Sequence, residues 1–175
     1  MPIEPNRQPR IEPLVDNPPQ VGKGKLIAIV GAAAAALLVP LVGQFEGKRN
    51  DPYKDIVGVI TVCYGETRVQ MRRYSDAECS QMLSDGLADF AKPVLARNPE
   101  LAGRPNQLAA AVSLSYNIGP ANYAKSTVAR RFSAHDWRGG CDAFLAWDMA
   151  GGRHVAGLTR RRQAERSICL TGLPK

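Results

Sequence analysis

The sequence predicts an α+β fold that is mostly helical, with one small β-hairpin and a weakly apolar helix in front of it. Three patterns indicate this class. Residues 26–45 form an uncharged apolar run. Two short β-branched runs, 55–57 and 59–64, flank a glycine and are typical of a hairpin. From residue 75 onwards, apolar residues recur at helical spacing, so the bulk of the chain is expected to be helical.

The helical part opens with a predicted capping box. Ser75 and Glu78 stand three residues apart, the spacing at which the two side chains cap each other's backbone N–H. The residues that then repeat at helical spacing are Met82, Leu83, Leu87 and Phe90, followed in the next helix by Leu108, Ala111, Val112 and Ser115. Further along, we expect Trp137, Phe144 and Trp147 to fill a core.

Length and charge restrict the class of protein. The 175 residues suit one domain with a tail. The chain has 23 Lys and Arg against 16 Asp and Glu, and its net charge of +7 favours polyanionic partners such as nucleic acid, anionic lipid or a cell-wall polymer. A nucleic-acid module has only this charge in its favour, because aromatic residues make up 6% of the chain and no recognition motif occurs. Nucleic acid is therefore not expected as a partner.

Cofactor motifs are absent from the sequence. His135 and His154 are the only histidines, and neither has a neighbouring cluster of Cys or Asp. The sequence also has no Gly-rich phosphate loop and no GxSxG motif. We therefore expect neither a metal nor an organic cofactor.

The N-terminal part is predicted to consist of a tail and a weakly apolar membrane segment. Residues 1–22 contain six prolines and no apolar periodicity, and a Pro-rich disordered tail is expected over 1–25. The run 26–45 would be about 30 Å long as a helix, enough to cross a bilayer. Six of its residues are Ala, and Gly31 and Pro40 interrupt the aliphatic ones, so it is a poor anchor that could also leave the membrane. A cleaved signal peptide is the alternative, although its A-x-A sites would lie inside the apolar run.

Candidate catalytic residues follow this run directly. Asp55 comes nine residues after Glu46, and Thr61 comes six residues later. Residues 50–52 are expected to break the helix that ends near Glu46. This arrangement would set the Glu46 carboxyl opposite the Asp55 carboxylate and the Thr61 hydroxyl on the hairpin. Two carboxyls in different environments are what glycosidic cleavage requires. Taken singly, each residue is better explained structurally: Glu46 as an exposed helix-end residue, Asp55 as a turn residue and Thr61 as an ordinary strand residue.

The whole stretch resembles the active-site segment of phage-type lysozymes, glycoside hydrolase family 24. The matching residues are Glu46, Gly47, Tyr53, Lys54, Asp55, Gly58, Thr61 and Gly65. Two positions depart from the pattern: Cys63 stands where many members have Gly, and Glu66 stands where they usually have His.

The resemblance implies a lysozyme-like catalytic domain over 44–175. Such a domain would hydrolyse the β-1,4 bond between N-acetylmuramic acid and N-acetylglucosamine with inversion of configuration. Glu46 would be the general acid, Asp55 the second carboxylate and Thr61 the hydroxyl that holds the attacking water.

Downstream segments extend the resemblance. In SLSYNIG, residues 113–119, Tyr116 and Asn117 would contact the sugar by stacking and by an amide hydrogen bond. A Tyr on a core face and an Asn at a helix end are the structural alternatives. Near the C-terminus, Arg161 and Arg162 would approach the substrate or its peptide stem. A solvated helix face paired with Glu165 explains these arginines as well.

Four cysteines lack the spacing of zinc or redox motifs, and they could form two disulfides or remain buried thiols. An enzyme that cleaves the cell wall acts outside the cytoplasmic membrane, which favours disulfides. The family's layout implies the pairs Cys63–Cys79 and Cys141–Cys169.

Taken together, the features resemble signal-anchor-release endolysins, a group within the lysozyme family that causes host cell lysis. The resemblance implies that the tail stays in the cytoplasm while 26–45 spans the inner membrane reversibly. Release would then deliver the enzyme to the periplasm, where a monomer acting on peptidoglycan is expected. While the run crosses the bilayer, Glu46 sits at its surface and cannot meet Asp55 and Thr61. Two alternatives remain: a lytic transglycosylase, and a non-catalytic, membrane-tethered wall-binding protein.

Overall fold

The computed structural model describes residues 24–54 and 58–174, and confirms the predicted α+β class. The helices are α1 (Lys25–Val30), α2 (Ala32–Gly43), α3 (Asp76–Arg97), α4 (Pro105–Ile118), α5 (Pro120–Lys125), α6 (Thr127–Ser133), α7 (Trp137–Asp142) and α8 (Ala156–Leu170). The strands are β1 (Arg49–Lys54), β2 (Ile60–Cys63), β3 (Met149–Ala150) and β4 (Arg153–His154). The short antiparallel pair β3–β4 is a second hairpin that the sequence did not predict. Residues 1–23 of the expected tail lie outside the described residues.

The apolar run 26–45 lies in the core of the helical part. Its helix α1 packs on α3, and its helix α2 packs mainly on α4. The side chains of this run that are almost fully buried are Leu26, Ala34, Leu38, Leu41 and Val42. The hydrophobic core therefore continues across residue 44, the expected start of the catalytic domain.

A glycine divides this run into two helices. Gly31 has φ 81° and ψ 158°, a backbone conformation essentially restricted to glycine. The break redirects the chain so that α1 and α2 can meet different partner helices. Within the part of the chain that the structure describes, no helix combines the length and the apolar character needed to cross a membrane.

The first hairpin begins earlier in the chain than predicted. Helix α2 ends at Gly43, and β1 pairs antiparallel with β2 through Tyr53↔Thr61 and Lys54↔Ile60. The expectation that residues 50–52 break a helix running through Glu46 is wrong, because α2 already ends at Gly43 and residues 50–52 belong to β1. A proline is tolerated there because β1 has an unpaired edge, and the register also shifts between Arg49 and Tyr53. The predicted strand at 55–57 lies outside the described residues.

The hairpin lobe, residues 49–74 as far as they are described, has a small core of its own. Val62, Cys63, Tyr74 and Cys79 are buried together, and Tyr64 packs on both this cluster and the main core. A Cβ at Gly43 would lie 3.3 Å from Tyr64 Oη. Glycine at the end of α2 therefore lets the lobe dock closely against the helical part.

The predicted helix start and core residues are found in the helical part. Ser75 Oγ accepts from the Glu78 N–H at 3.2 Å, and Glu78 Oε2 accepts from the Ser75 N–H at 2.7 Å, which confirms the capping box. Phe144 is fully buried, while Trp137 and Trp147 are half-buried against the core.

Two disulfides tie these parts together. Cys63–Cys79 joins β2 to α3, and Cys141–Cys169 joins α7 to α8. These are the two pairs that the family resemblance implied. The first bridges residues 16 apart, a loop length at which a disulfide stabilises a fold by about 3 kcal/mol. It secures a lobe whose own core is small.

Candidate active site

Glu46 lies in the turn between α2 and β1, with its side chain 23% exposed. Its Oε1 accepts a hydrogen bond from Nη1 of Arg161 on α8 at 2.7 Å. The Arg161 side chain is only 5% exposed, so the ion pair has a solvent-accessible side and a buried side. The fold thus brings together two residues that stand 115 positions apart.

Arg161 is itself held from the interior. Its Nε donates to Glu165 Oε1 at 3.2 Å, and its Nη2 donates to the Ser113 carbonyl of α4 at 3.4 Å. Its guanidinium also lies 5.5 Å from the ring centroid of Phe45. Each of its three nitrogens therefore has a partner within the protein. A direct contact of Arg161 with substrate stays a prediction.

A second arginine completes this buried cluster. Arg162 Nε lies 2.8 Å from Glu165 Oε2, and its Nη2 donates to Glu165 Oε1 at 3.0 Å and to Asn117 Oδ1 at 3.1 Å. The Ser113 hydroxyl donates to Glu165 Oε1 at 2.6 Å. The solvated helix face considered for the two arginines is wrong, because α8 packs on α4 and buries both of them.

Neither Ser113 nor the position of Glu165 in the site was predicted from the sequence. The sequence does place Glu165 three residues after Arg162 and four after Arg161. This spacing is also typical of ion pairs on an exposed helix face, and so it did not indicate burial. Burial raises the pKa of Glu165, against the opposing effects of Arg162, Ser113 and Arg161. Burial also lowers the pKa of Arg162. Charges this deeply buried persist only when they are paired, and Arg162 and Glu165 form an ion pair at 2.8 Å.

Tyr116 is half-buried beside the ion pair. Its ring makes an edge-to-face contact with Phe90 at a centroid distance of 5.0 Å, so part of the ring belongs to the core. Burial raises the pKa of Tyr116, and the nearby carboxylates of Glu46 and Glu66 raise it further. Tyr116 therefore faces the junction between the helical part and the hairpin lobe, together with Glu46. Its neighbour Asn117 is exposed apart from its bond to Arg162.

The hairpin lobe contributes Thr61. Its side chain is 3% exposed, and its hydroxyl has no hydrogen-bond partner among the described residues. Asp55, the predicted second carboxylate, lies outside the described residues, directly after the last residue of β1.

Other polar groups do not extend the site toward metal chemistry. His154 Nδ1 lies 2.8 Å from Asp148 Oδ1. The other carboxylate oxygen of that residue, Asp148 Oδ2, accepts a hydrogen bond from the Thr159 hydroxyl at 3.0 Å. Over residues 24–54 and 58–174, no group of three or more His, Cys, Asp or Glu side chains could hold a metal ion.

A partly exposed carboxyl at the junction of a helical domain and a small β-lobe suits a glycoside hydrolase, a class of enzyme that needs a carboxylic acid beside the scissile bond. The family model for phage lysozyme matches residues 43–165. The chain is 39% identical over 165 residues to a SAR-endolysin of Enterobacteria phage P21, covering 89% of this chain and 98% of that protein. The chain belongs to the phage lysozyme family, and it is a lysozyme.

Solved structures agree with this assignment. An endolysin from Escherichia coli O157:H7 phage FAHEc1 superposes with a TM-score of 0.63 at 27% identity, over 79% of this chain and 94% of that one. The active form of the P1 phage endolysin Lyz superposes with a TM-score of 0.67 at 22% identity, over 87% and 93% of the two chains. The second likeness concerns the fold alone.

Proposed function

We propose that this protein is an endolysin that hydrolyses the β-1,4 bond between N-acetylmuramic acid and N-acetylglucosamine, with Glu46 as the general acid. The observation that carries the proposal is the position of Glu46. Its carboxyl is partly exposed at the junction with the hairpin lobe and fixed from beneath by the buried Arg161. A donor to a glycosidic oxygen must be accessible on one side and held in place on the other.

The remaining groups take complementary roles. Asp55, nine residues further on, is the second carboxylate that activates water or stabilises the positive charge on the sugar in the transition state. The Thr61 hydroxyl holds the attacking water, a role supported by its lack of a hydrogen-bond partner among the described residues. Tyr116 and Asn117 contact the sugar chain by stacking and by an amide hydrogen bond. The protein acts as a monomer.

Product analysis tests the reaction. Digestion of purified peptidoglycan should release muropeptides with reducing N-acetylmuramic acid ends, and the first product seen by NMR should be the α-anomer, because inversion converts the β-linkage. Ends of the 1,6-anhydro type would instead indicate a lytic transglycosylase. An absence of any released muropeptide would favour a non-catalytic wall-binding protein.

We further propose that residues 26–45 cross the host inner membrane, with the N-terminus in the cytoplasm, before they leave it and pack as α1 and α2. The relatives named SAR-endolysin support this, as does the low charge of the run. In the membrane, the run would be absent from the core, and Glu46 would be separated from the buried Arg161. Release to the periplasm would complete the core and the site together.

Gly31→Ala is expected to hold the protein in the membrane. Alanine in the Gly31 conformation costs about 1–3 kcal/mol in the packed state, while it favours a continuous helix by about 1 kcal/mol. Fractionation of expressing bacteria should therefore show a larger membrane-bound share and delayed lysis.

The matched control is Gly86→Ala. Gly86 lies inside α3 at an ordinary helical φ, and a Cβ there would meet no atom within 4 Å. This variant should fractionate like the parent protein. Equal fractionation of both variants would contradict the proposed refolding at Gly31.

A further inference from the structure

Glu165 is a completely buried carboxylate that cannot touch a substrate. We propose that it is a positioning residue, which orients Arg161 and balances its charge so that Glu46 can carry the proton that it donates. The inference rests on the proposed function, since it assumes that Glu46 is the general acid.

The surroundings of Glu165 suit an ionised carboxylate. Its Oε1 accepts from the Ser113 hydroxyl at 2.6 Å, from Arg162 Nη2 at 3.0 Å and from Arg161 Nε at 3.2 Å. Two of these three groups are guanidinium nitrogens, which donate and cannot accept a hydrogen bond from a protonated carboxyl. The two guanidinium groups supply the positive charge that a buried carboxylate needs.

These bonds fix the direction of the Arg161 guanidinium. The group is planar, so its orientation is set once Nε is bound to Glu165 and Nη2 is bound to the Ser113 carbonyl. Nη1 is then directed at Glu46, which it meets at 2.7 Å. Glu165 thus places the Glu46 carboxyl through Arg161, without contacting it.

The charge balance gives Glu165 its second effect. A guanidinium 2.7 Å from a carboxylate favours the ionised form, whereas a general acid must be protonated. Glu165 offsets one of the two positive charges of Arg161 and Arg162, and so limits their pull on the Glu46 proton. Among the described residues, the titratable and charged groups that interact with Glu46 or Glu165 are Arg161 and Arg162 on α8 and Tyr116 on α4, and Glu66 after β2 interacts in turn with Tyr116.

The pH dependence of peptidoglycan cleavage tests the proposal. Glu165→Gln leaves excess positive charge beside Glu46, so the acid loses its proton at lower pH. The alkaline limb of the kcat profile should move down by about one pH unit, and the rate on that limb should fall about tenfold, with KM little changed. Asp142→Asn is the control, because it removes the exposed carboxylate that pairs with Arg166 of α8 at 2.7 Å, and it should leave the limb in place.

A charge-balanced double variant separates electrostatics from packing. Arg162→Met with Glu165→Met removes one charge of each sign, so the alkaline limb should return close to its original position. Because the Nε anchor of Arg161 is lost, kcat should remain lowered. A merely structural role of Glu165 predicts no such return.

The outcomes are distinct. A folded Glu165→Gln protein with an unmoved alkaline limb would overturn the inference. If that variant does not fold, Glu165→Asp decides: its shorter charged side chain should lower kcat and leave the limb in place, and either an unchanged kcat or a shifted limb would refute the proposal. The proposed function has separate tests: it fails if Glu46→Gln keeps full activity or if the parent protein releases 1,6-anhydro products or no muropeptides, and these results are independent of every Glu165 variant.

Discussion

Glu46→Gln is expected to lower the rate of peptidoglycan cleavage by about 10²–10⁴-fold, the contribution usual for a general acid. The amide cannot supply a proton to the leaving oxygen. Its carbonyl can still accept the hydrogen bond from Arg161 Nη1, so the fold should persist. Initial rates of muropeptide release, measured beside a circular-dichroism melting curve, would report the two effects separately.

The control for this substitution is Asp85→Asn. Asp85 lies on α3, where its carboxylate accepts a hydrogen bond from Gln81 at 3.2 Å. The same change from carboxylate to amide should here leave activity within about twofold, as is usual for surface substitutions. Parental activity in a folded Glu46→Gln protein would show that another group donates the proton, and the assignment of Glu46 would have to be withdrawn.

Deletion of residues 1–43 is expected to abolish both cooperative folding and activity. The deletion removes α1 and α2, which contribute Leu26, Leu38, Leu41 and Val42 to the core. Burial of each such side chain contributes about 1.5–3 kcal/mol. A domain is stable by only about 5–15 kcal/mol in total, so the loss is expected to exceed the margin. Thermal melting and a peptidoglycan assay on the purified fragments would measure it.

Deletion of residues 1–23 is the matched comparison. This shorter truncation leaves both helices, including Leu26, and should retain folding and the cleavage rate. A fragment that starts at residue 44, melts cooperatively and cleaves as fast as one that starts at residue 24 would show that the apolar run is an anchor with no part in the active fold.

Features that depend on near neighbours were predictable from the sequence. The capping box needs only Ser75 and Glu78, three residues apart, and both are found bonded to each other's backbone. The helical spacing after residue 75 likewise placed α3 and α4. The position of β1 was not predictable in this way, because Pro52 signals a helix break as readily as an edge strand.

The candidate site likewise combines a local motif, which the sequence reveals, with contacts between distant residues, which it does not. The resemblance of residues 46–65 to the active-site segment of phage-type lysozymes implies a lysozyme-type site from twenty residues, because this motif is local. The burial of Arg161, Arg162 and Glu165 is not local. Read alone, a helix this rich in charge indicates a solvated face.

The sequence alone thus specifies the helical class, the motif proposed to carry the chemistry and the weak apolar run before it. Tertiary packing specifies that the run belongs to the core and that the charged helix does as well. The physical reason is that burying a charge requires partners, and these come from distant positions. Glu46 meets Arg161 across 115 residues, and Ser113 meets Glu165 across 52. Such pairs exist only once α2, α4 and α8 have met.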